Sequence, residues 1–221
     1  AQNERLVLTL LRQLGALAKS DIARMTGLSA QTVSVMMRRL EGDGLLQRGE
    51  PQRGQIGQPS IPMSLAGGGA YFFGLKIGRR SADLVLIDFL GQIVGMRRSL
   101  HRYPTPDGAV AFVREALPDL AATLPAGARG RIGGLGVAMP FQLWNWVHAL
   151  GAPQDEMDSW RHRDIQADLA ALTGLPVVIR NDATAACAAE LVLGKGERPR
   201  DFLYFYCGTF IGGGLVLNGQ L

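Results

Sequence analysis

Residues 20–40 read SDIARMTGLSAQTVSVMMRRL, and their spacing decides the front of the chain. Ser20 is expected to cap a short helix over residues 21–26, with Ile22, Ala23 and Met25 inward and Gly27 supplying a left-handed stop. Leu28 closes the turn and Ser29 caps again. Val33, Met36, Met37 and Leu40 then supply the buried stripe of a longer helix ending near residues 42–44. Ala23 lets the two helices approach and Gly27 allows the tight turn, which is the helix-turn-helix arrangement. Upstream, Leu6, Val7, Leu10, Leu11 and Leu14 line one face of a first helix over residues 3–14. Downstream, residues 45–48 and 60–65 are expected to pair as two short strands around a Gly/Gln/Arg/Pro loop carrying Arg48 and Arg53, making a wing.

With its apolar stripe inward, the third helix presents Gln31, Thr32, Ser34, Val35, Arg38 and Arg39. Its amino end, capped by Ser29, would enter a DNA major groove, where Gln31, Thr32 and Ser34 can hydrogen-bond bases. Arg38, Arg39, Arg48 and Arg53 would neutralise phosphates. The plain alternative is a small helical bundle with a solvated basic face. Two serine caps, a short second helix and a basic hairpin directly after the third argue for the DNA reader. Residues 1–65 hold eight Lys/Arg against five Asp/Glu, whereas residues 66–221 hold fifteen against fourteen. The positive excess therefore sits at the front.

A length of 221 residues with 47% hydrophobic side chains excludes a disordered chain and a disulfide miniprotein. Mean hydropathy is +0.10, and no stretch approaches the roughly 18 apolar residues of a membrane span. Cys187 and Cys207 have no metal-binding spacing. With no secretory signal in view, the expectation is a cytoplasmic protein with no membrane partner.

From residue 67 the periodicity changes. Gly67-Gly68-Gly69 reads as a flexible joint between a domain over residues 1–66 and another over 70–221. Three strands follow at residues 71–77, 82–88 and 93–99, then a helix at 106–124 and a buried strand at 132–138. Alternation continues with a helix at 164–172, a strand at 177–180, a helix at 183–193 and strands at 202–207 and 213–217.

Three segments of this body resemble the ROK family: GLKIGRR (74–80), VVIRNDATAAC (177–187) and GTFIGGGLVLNG (208–219). The resemblance implies a mixed α/β fold, one lobe of the actin-like, ribonuclease H-like ATPase fold. With the winged helix in front, it points to the family's sugar-responsive transcriptional repressors rather than its kinases. The departures support that branch. The kinases resemble Asp-x-Gly-Gly-Thr at the first hairpin, where the carboxylate helps organise Mg²⁺; here that position is Lys76, followed after Gly78 by Arg79 and Arg80. A lysine cannot ligate Mg²⁺. Phe210 replaces a small residue in the second phosphate segment. The expectation is a non-enzyme with degenerate phosphate motifs and no cofactor in this chain, the alternative being a ROK kinase that phosphorylates a hexose with ATP.

Asn181 and Asp182 stand at the end of a buried strand, where an α/β sheet presents ligand contacts. They either cap the following helix or, by the resemblance, face a sugar or sugar-phosphate effector; both can hold. GVAMPF (136–141) resembles the family's Gly-x-x-x-Pro-Gly segment beside the sugar, placing Pro140 there, with Phe141 departing at the last glycine. His101, His148 and His162 lack zinc spacing, and Trp144, Trp146 and Trp160 are read as core or cleft-edge packing. Gly212-Gly213-Gly214 lacks the context of a dinucleotide site. The chain stops at Leu221, so the second lobe, with the zinc site the resemblance implies for it, is expected to be absent. Double-stranded operator DNA and a homodimer, or a dimer of dimers, are the expected partners.

Overall fold

The computed structural model of the chain describes residues 2–51, 60–194, 199–208 and 211–221, leaving the side chains of 149 and 150 undescribed. Contacts divide it into two compact units, residues 1–71 with 88–92 and residues 72–87 with 93–221.

The first unit is built on α1 (Gln2–Leu14), α2 (Lys19–Thr26) and α3 (Ala30–Gly42), followed by the wing strands β1 (Leu46–Arg48) and β2 (Met63–Leu65). Val7 and Leu11 from α1, Ile22 from α2 and the α3 stripe Val33, Met36, Met37 and Leu40 meet Leu46, Met63 and Leu65 in one core. Val7, Ile22, Val33 and Met37 have no exposed surface. Complete burial of one such side chain stabilises by roughly 1.5–3 kcal/mol. Gly27 adopts φ 68° after α2, as the turn requires.

Three expectations are corrected here. Ser20 does not cap α2, which begins at Lys19 with Ala18 extended before it and no side-chain cap. The cause lies outside the local sequence. Leu17 exchanges two backbone hydrogen bonds with Met63, at 3.0 and 2.9 Å, and that bridge sets the chain for helix two residues sooner. The wing strands are also shorter than expected. Pro62 accepts from Gly49 N–H at 2.8 Å but has no N–H to return, so regular pairing starts at Met63. Lastly, Gly67–Gly69 is a turn of 3₁₀ helix and not a joint without structure. A Cβ on Gly69 would lie 2.8 Å from the Gly44 carbonyl oxygen and 3.0 Å from Leu45 Cα. The glycine is there for close packing.

In the second unit, β3 (Tyr71–Ile77), β4 (Ser81–Asp88) and β5 (Ile93–Leu100) precede α4 (Pro106–Ala122), a short α5 (Ala126–Arg129) and β6 (Ile132–Met139). After a 3₁₀ turn at Leu143–Trp146 come α6 (Val147–Leu150), α7 (Gln154–His162), α8 (Ile165–Thr173), β7 (Val177–Asn181), α9 (Asp182–Leu193), β8 (Phe202–Cys207) and β9 (Ile211–Val216). The main sheet runs β5-β4-β3-β6-β7, and β8-β9 is a separate pair. β4 and β5 are antiparallel and β6 and β7 parallel. The mixed α/β, actin-like kinase-type order is thus present.

Phe73, Leu75 and Ile77 of β3 and Leu84 and Leu86 of β4 alternate into the core with Val113 and Leu120 of α4. Thr105 caps α4, accepting from Gly108 N–H at 3.1 Å, with Pro106 at the first helical position. The expected strand at 213–217 is shifted: β9 covers Ile211–Val216, and its Gly212 and Gly214 lie against α9. A Cβ at Gly214 would stand 2.6 Å from Cys187 Sγ. The α7 segment was not expected from sequence. Its buried face is only Met157 and Trp160, with the Trp160 indole N–H donating to Pro104 O at 3.0 Å.

Candidate nucleic-acid interface and effector cavity

On α3 the cap is as the sequence predicts. Ser29 Oγ accepts from Thr32 N–H at 3.1 Å and lies 2.8 Å from Thr32 Oγ1. Ser29 and Thr32 are both exposed at this capped first turn. Gln31, Thr32, Val35, Arg38 and Arg39 are exposed, whereas Ser34 is half-buried. Val35, 60% exposed, is the apolar centre of this polar face, suited to a thymine methyl. A concavity of about 780 Å³ lies between the start of α1 and α3. Gln2, Asn3 and Glu4 face Gln31, Thr32 and Val35 across it. Sequence reading missed those three; the polar start of α1 was their one visible signal.

The arginines differ in their commitments. Arg39 pairs with Glu4 at 3.2 Å and Asp43 at 3.9 Å. Arg48 grips Glu41 through Nε at 2.6 Å and Nη2 at 3.1 Å. That hydrogen-bonded contact lowers the Glu41 carboxyl pKa and raises that of Arg48. Arg38 makes no ion pair among the described residues. Arg53 lies outside the described residues, as does Phe210.

The second unit carries a cavity of about 430 Å³ at the carboxyl ends of the parallel strands β6 and β7, where open α/β sheets bind ligands. Four pieces of chain line it among the described residues: Lys76, Gly78, Arg79 and Ser81 at the β3–β4 turn, Pro140 and Phe141 after β6, Asn181 to Ala183 at the start of α9, and Tyr206, Gly208, Ile211 and Gly212 from the β8–β9 pair. The three residues singled out by sequence, Pro140, Asn181 and Asp182, are therefore brought together. Trp146 is at the edge of the same cavity, whereas Trp160 is core and Trp144 lies under Arg161, 5.6 Å from its guanidinium carbon. His101 bonds the Gly78 carbonyl oxygen at 3.0 Å through Nε2 and so braces the turn that holds Arg79.

Asn181 is the cap of α9. Its side-chain oxygen accepts from Ala183 N–H at 3.0 Å and Thr184 N–H at 3.2 Å, and Asp182 Oδ1 accepts from Ala183 N–H at 3.0 Å. Asp182 Oδ2 has no hydrogen bond among the described residues. The capping reading holds with Asn181, and the second oxygen of Asp182 can still meet a ligand. Among the described residues no three His, Cys, Asp or Glu are grouped to hold a metal, and no helix is long and apolar enough to cross a membrane.

Comparison with known proteins follows this division. The sequence model of the MarR family matches residues 2–52. The xylose repressor of Bacillus subtilis (strain 168) is 22% identical over 219 residues, 99% of this chain and 56% of that protein. A glucokinase of Streptomyces coelicolor is 31% identical over 153 residues, 67% of this chain and 44% of that protein. The crystal structure of a ROK family transcriptional regulator, described as a homolog of the E. coli MLC protein, superposes with a TM-score of 0.68 at 18% identity. It covers 99% of this chain and 55% of that one, and it shares the fold. The chain spans about half the length of the curated relatives it matches. The sheet order, the cavity at the strand ends and the ROK family sequence model, which matches residues 72–221, agree with one another, and the chain belongs to the ROK family.

Proposed function

We propose that this chain is the DNA-reading and effector-sensing part of a cytoplasmic transcriptional repressor of sugar-metabolism or sugar-transport genes. α3 lies in the major groove of operator DNA, with Gln31, Thr32, Ser34 and Val35 toward base edges and Arg38, Arg39, Arg48 and Arg53 toward phosphates. A homodimer, or a dimer of dimers, places two such helices about one helical turn apart. A sugar in the cavity, held by Asn181 and Asp182 beside Pro140, shifts the population between states of different operator affinity. A hundredfold change requires about 2.7 kcal/mol of coupling between the sites.

The observation that carries this reading is the reach of the similarity. The repressor relative matches the chain from end to end, 99% of it, whereas the glucokinase relative matches 67%. Lys76 in the cavity wall gives the same direction chemically, since an ammonium group has no lone pair with which to ligate the magnesium of a nucleotide. The higher identity to a glucokinase favours a second reading, a hexose kinase with a DNA-binding front. The test is selection of duplexes from a random pool by the full-length protein, then binding with and without sugars, beside an ATP-dependent sugar phosphorylation assay. Sequence-selective, sugar-sensitive binding without turnover is expected. Phosphorylation at enzyme-like rates, or no enrichment of any duplex, would overturn the proposal.

A further inference from the structure

We infer that Glu4 is a specificity-determining residue of the DNA interface: its carboxylate exchanges Arg39 for the amino group of a cytosine, so that Arg39 reaches a phosphate on the cognate sequence and is held back elsewhere. This rests on the reading of α3 as the recognition helix and adds a base-reading role for α1.

Place is the first observation. The concavity of about 780 Å³ is lined on one side by Gln31, Val35 and Arg39, which the proposed docking turns toward DNA. Its opposite wall is the first turn of α1, with Gln2, Asn3 and Glu4. All of these belong to the winged-helix unit. DNA seated on α3 therefore brings either its base edges or its backbone against Glu4.

Charge decides which. Among the described residues lining the concavity, Glu4 is the one carboxylate and Arg39 the one cation, and they pair at 3.2 Å. Duplex DNA carries a negative charge about every 1.7 Å along its axis, so a carboxylate turned to the backbone meets only repulsion. The major groove offers it donors, the N4 amino group of cytosine and the N6 amino group of adenine. Beside the adenine amino group lies the N7 acceptor, which repels a carboxylate, and cytosine is the fitting partner.

The openness of the pair is the third observation. The Arg39 side chain is 70% exposed and that of Glu4 24%. An ion pair this open to solvent holds weakly, and Arg39 can leave it without stranding a deeply buried charge. Glu41 is the contrast: it grips Arg48 at two points and lies outside the concavity. On a duplex with cytosine in place, Glu4 gains a hydrogen-bonded partner as Arg39 turns to a phosphate. Without that cytosine, the same step leaves a carboxylate facing DNA with no donor, and Arg39 stays paired.

The experiment uses the full-length wild type and its Glu4→Ala, Glu4→Gln and Arg39→Ala variants. Each selects duplexes from a random pool. Fluorescence anisotropy across several salt concentrations then measures binding to the wild-type operator, to operators with each C·G pair replaced by T·A, and to an unselected duplex. In the wild type, one such replacement should cost about fivefold or more. In Glu4→Ala that penalty should fall to within about twofold, and Glu4→Gln should turn the preference toward adenine, whose N6 and N7 an amide meets together. Both should make the slope of log K against log salt on the unselected duplex more negative, by up to about 0.9 per protomer, because Arg39 is released. Arg39→Ala should flatten the slope on the operator and leave it unchanged on the unselected duplex. Glu4→Gln keeps the shape of the side chain, so the comparison stands if Glu4→Ala unfolds. A preference at every cytosine unaltered by the Glu4 variants, including the case in which they tighten binding to all duplexes alike, overturns the inference and leaves the DNA-binding reading standing. Equal flattening by Arg39→Ala on operator and unselected duplex overturns the exchange as well. If the wild type enriches no duplex, the DNA-binding reading fails and the inference with it.

Discussion

Replacing one arginine at a time separates phosphate contacts from internal ion pairs, and the geometry ranks the outcome. Each phosphate neutralised contributes a slope of about −0.9 in log K against log salt. Arg38 has no ion pair among the described residues, so Arg38→Ala should make the slope less negative by about 0.9 per protomer. Between about 50 and about 200 mM salt, that reduces the loss of operator affinity by about 3.5-fold. Arg39 must leave Glu4 at 3.2 Å and Asp43 at 3.9 Å before it meets a phosphate, and Arg48 must leave a two-point grip on Glu41. The change in slope should therefore fall in the order Arg38, Arg39, Arg48. Fluorescence anisotropy of a labelled operator at five or six salt concentrations reads all three. A slope change for Arg48→Ala as large as that for Arg38→Ala would refute the reasoning, because it would mean that the ion pairs of the free protein do not govern which arginines reach the DNA.

Gly69→Ala should destabilise the winged-helix unit by about 1–3 kcal/mol, because the new methyl meets the backbone of Gly44 and Leu45. Gly42→Ala, in the same unit with nothing within 4 Å of the added carbon, should be neutral or stabilise by up to about 1 kcal/mol; urea melts followed by circular dichroism compare them. Ser29→Ala removes the cap of α3 and should cost about 1 kcal/mol in the same melts. One thiol should react with a disulfide reagent in the native protein, the exposed Cys207, and the second only on unfolding. Burial pushes the Cys187 thiol pKa up, so ionising it opposes the fold. Its protection should therefore weaken as the pH is raised toward the folded pKa, a trend visible in labelling rates.

Much of the architecture was legible because it follows from local rules. The Val33, Met36, Met37 and Leu40 stripe lies three and four residues apart and is buried as read, and Ser29 caps at the expected offset. The strand ends at Pro140 and Asn181 are brought to one cavity, as a parallel pair requires. What was not legible is non-local. The start of α2 depends on a bridge from Leu17 to Met63, 46 positions along the chain. The three glycines at 67–69 look flexible until Gly44 and Leu45 are packed against Gly69. Arg39 finds its partner in Glu4 on another helix, which no helical wheel of α3 contains. Phe89 is a further case. The turn Asp88–Gln92 counts with the first unit, where Arg12 donates to the Phe89 carbonyl at 2.6 Å and stacks 5.1 Å over its ring. A two-residue apolar face made α7 invisible to periodicity.

The most direct test of a DNA reader gated by its effector is reciprocity. The effector's Kd is measured by calorimetry on the full-length protein alone and then on the protein saturated with its selected operator. Linkage requires the two values to differ by the factor by which the effector changes operator affinity. An equal factor in both directions is the predicted result; an effector Kd unchanged by operator, while the effector still alters operator affinity, or independence in both directions, contradicts the account.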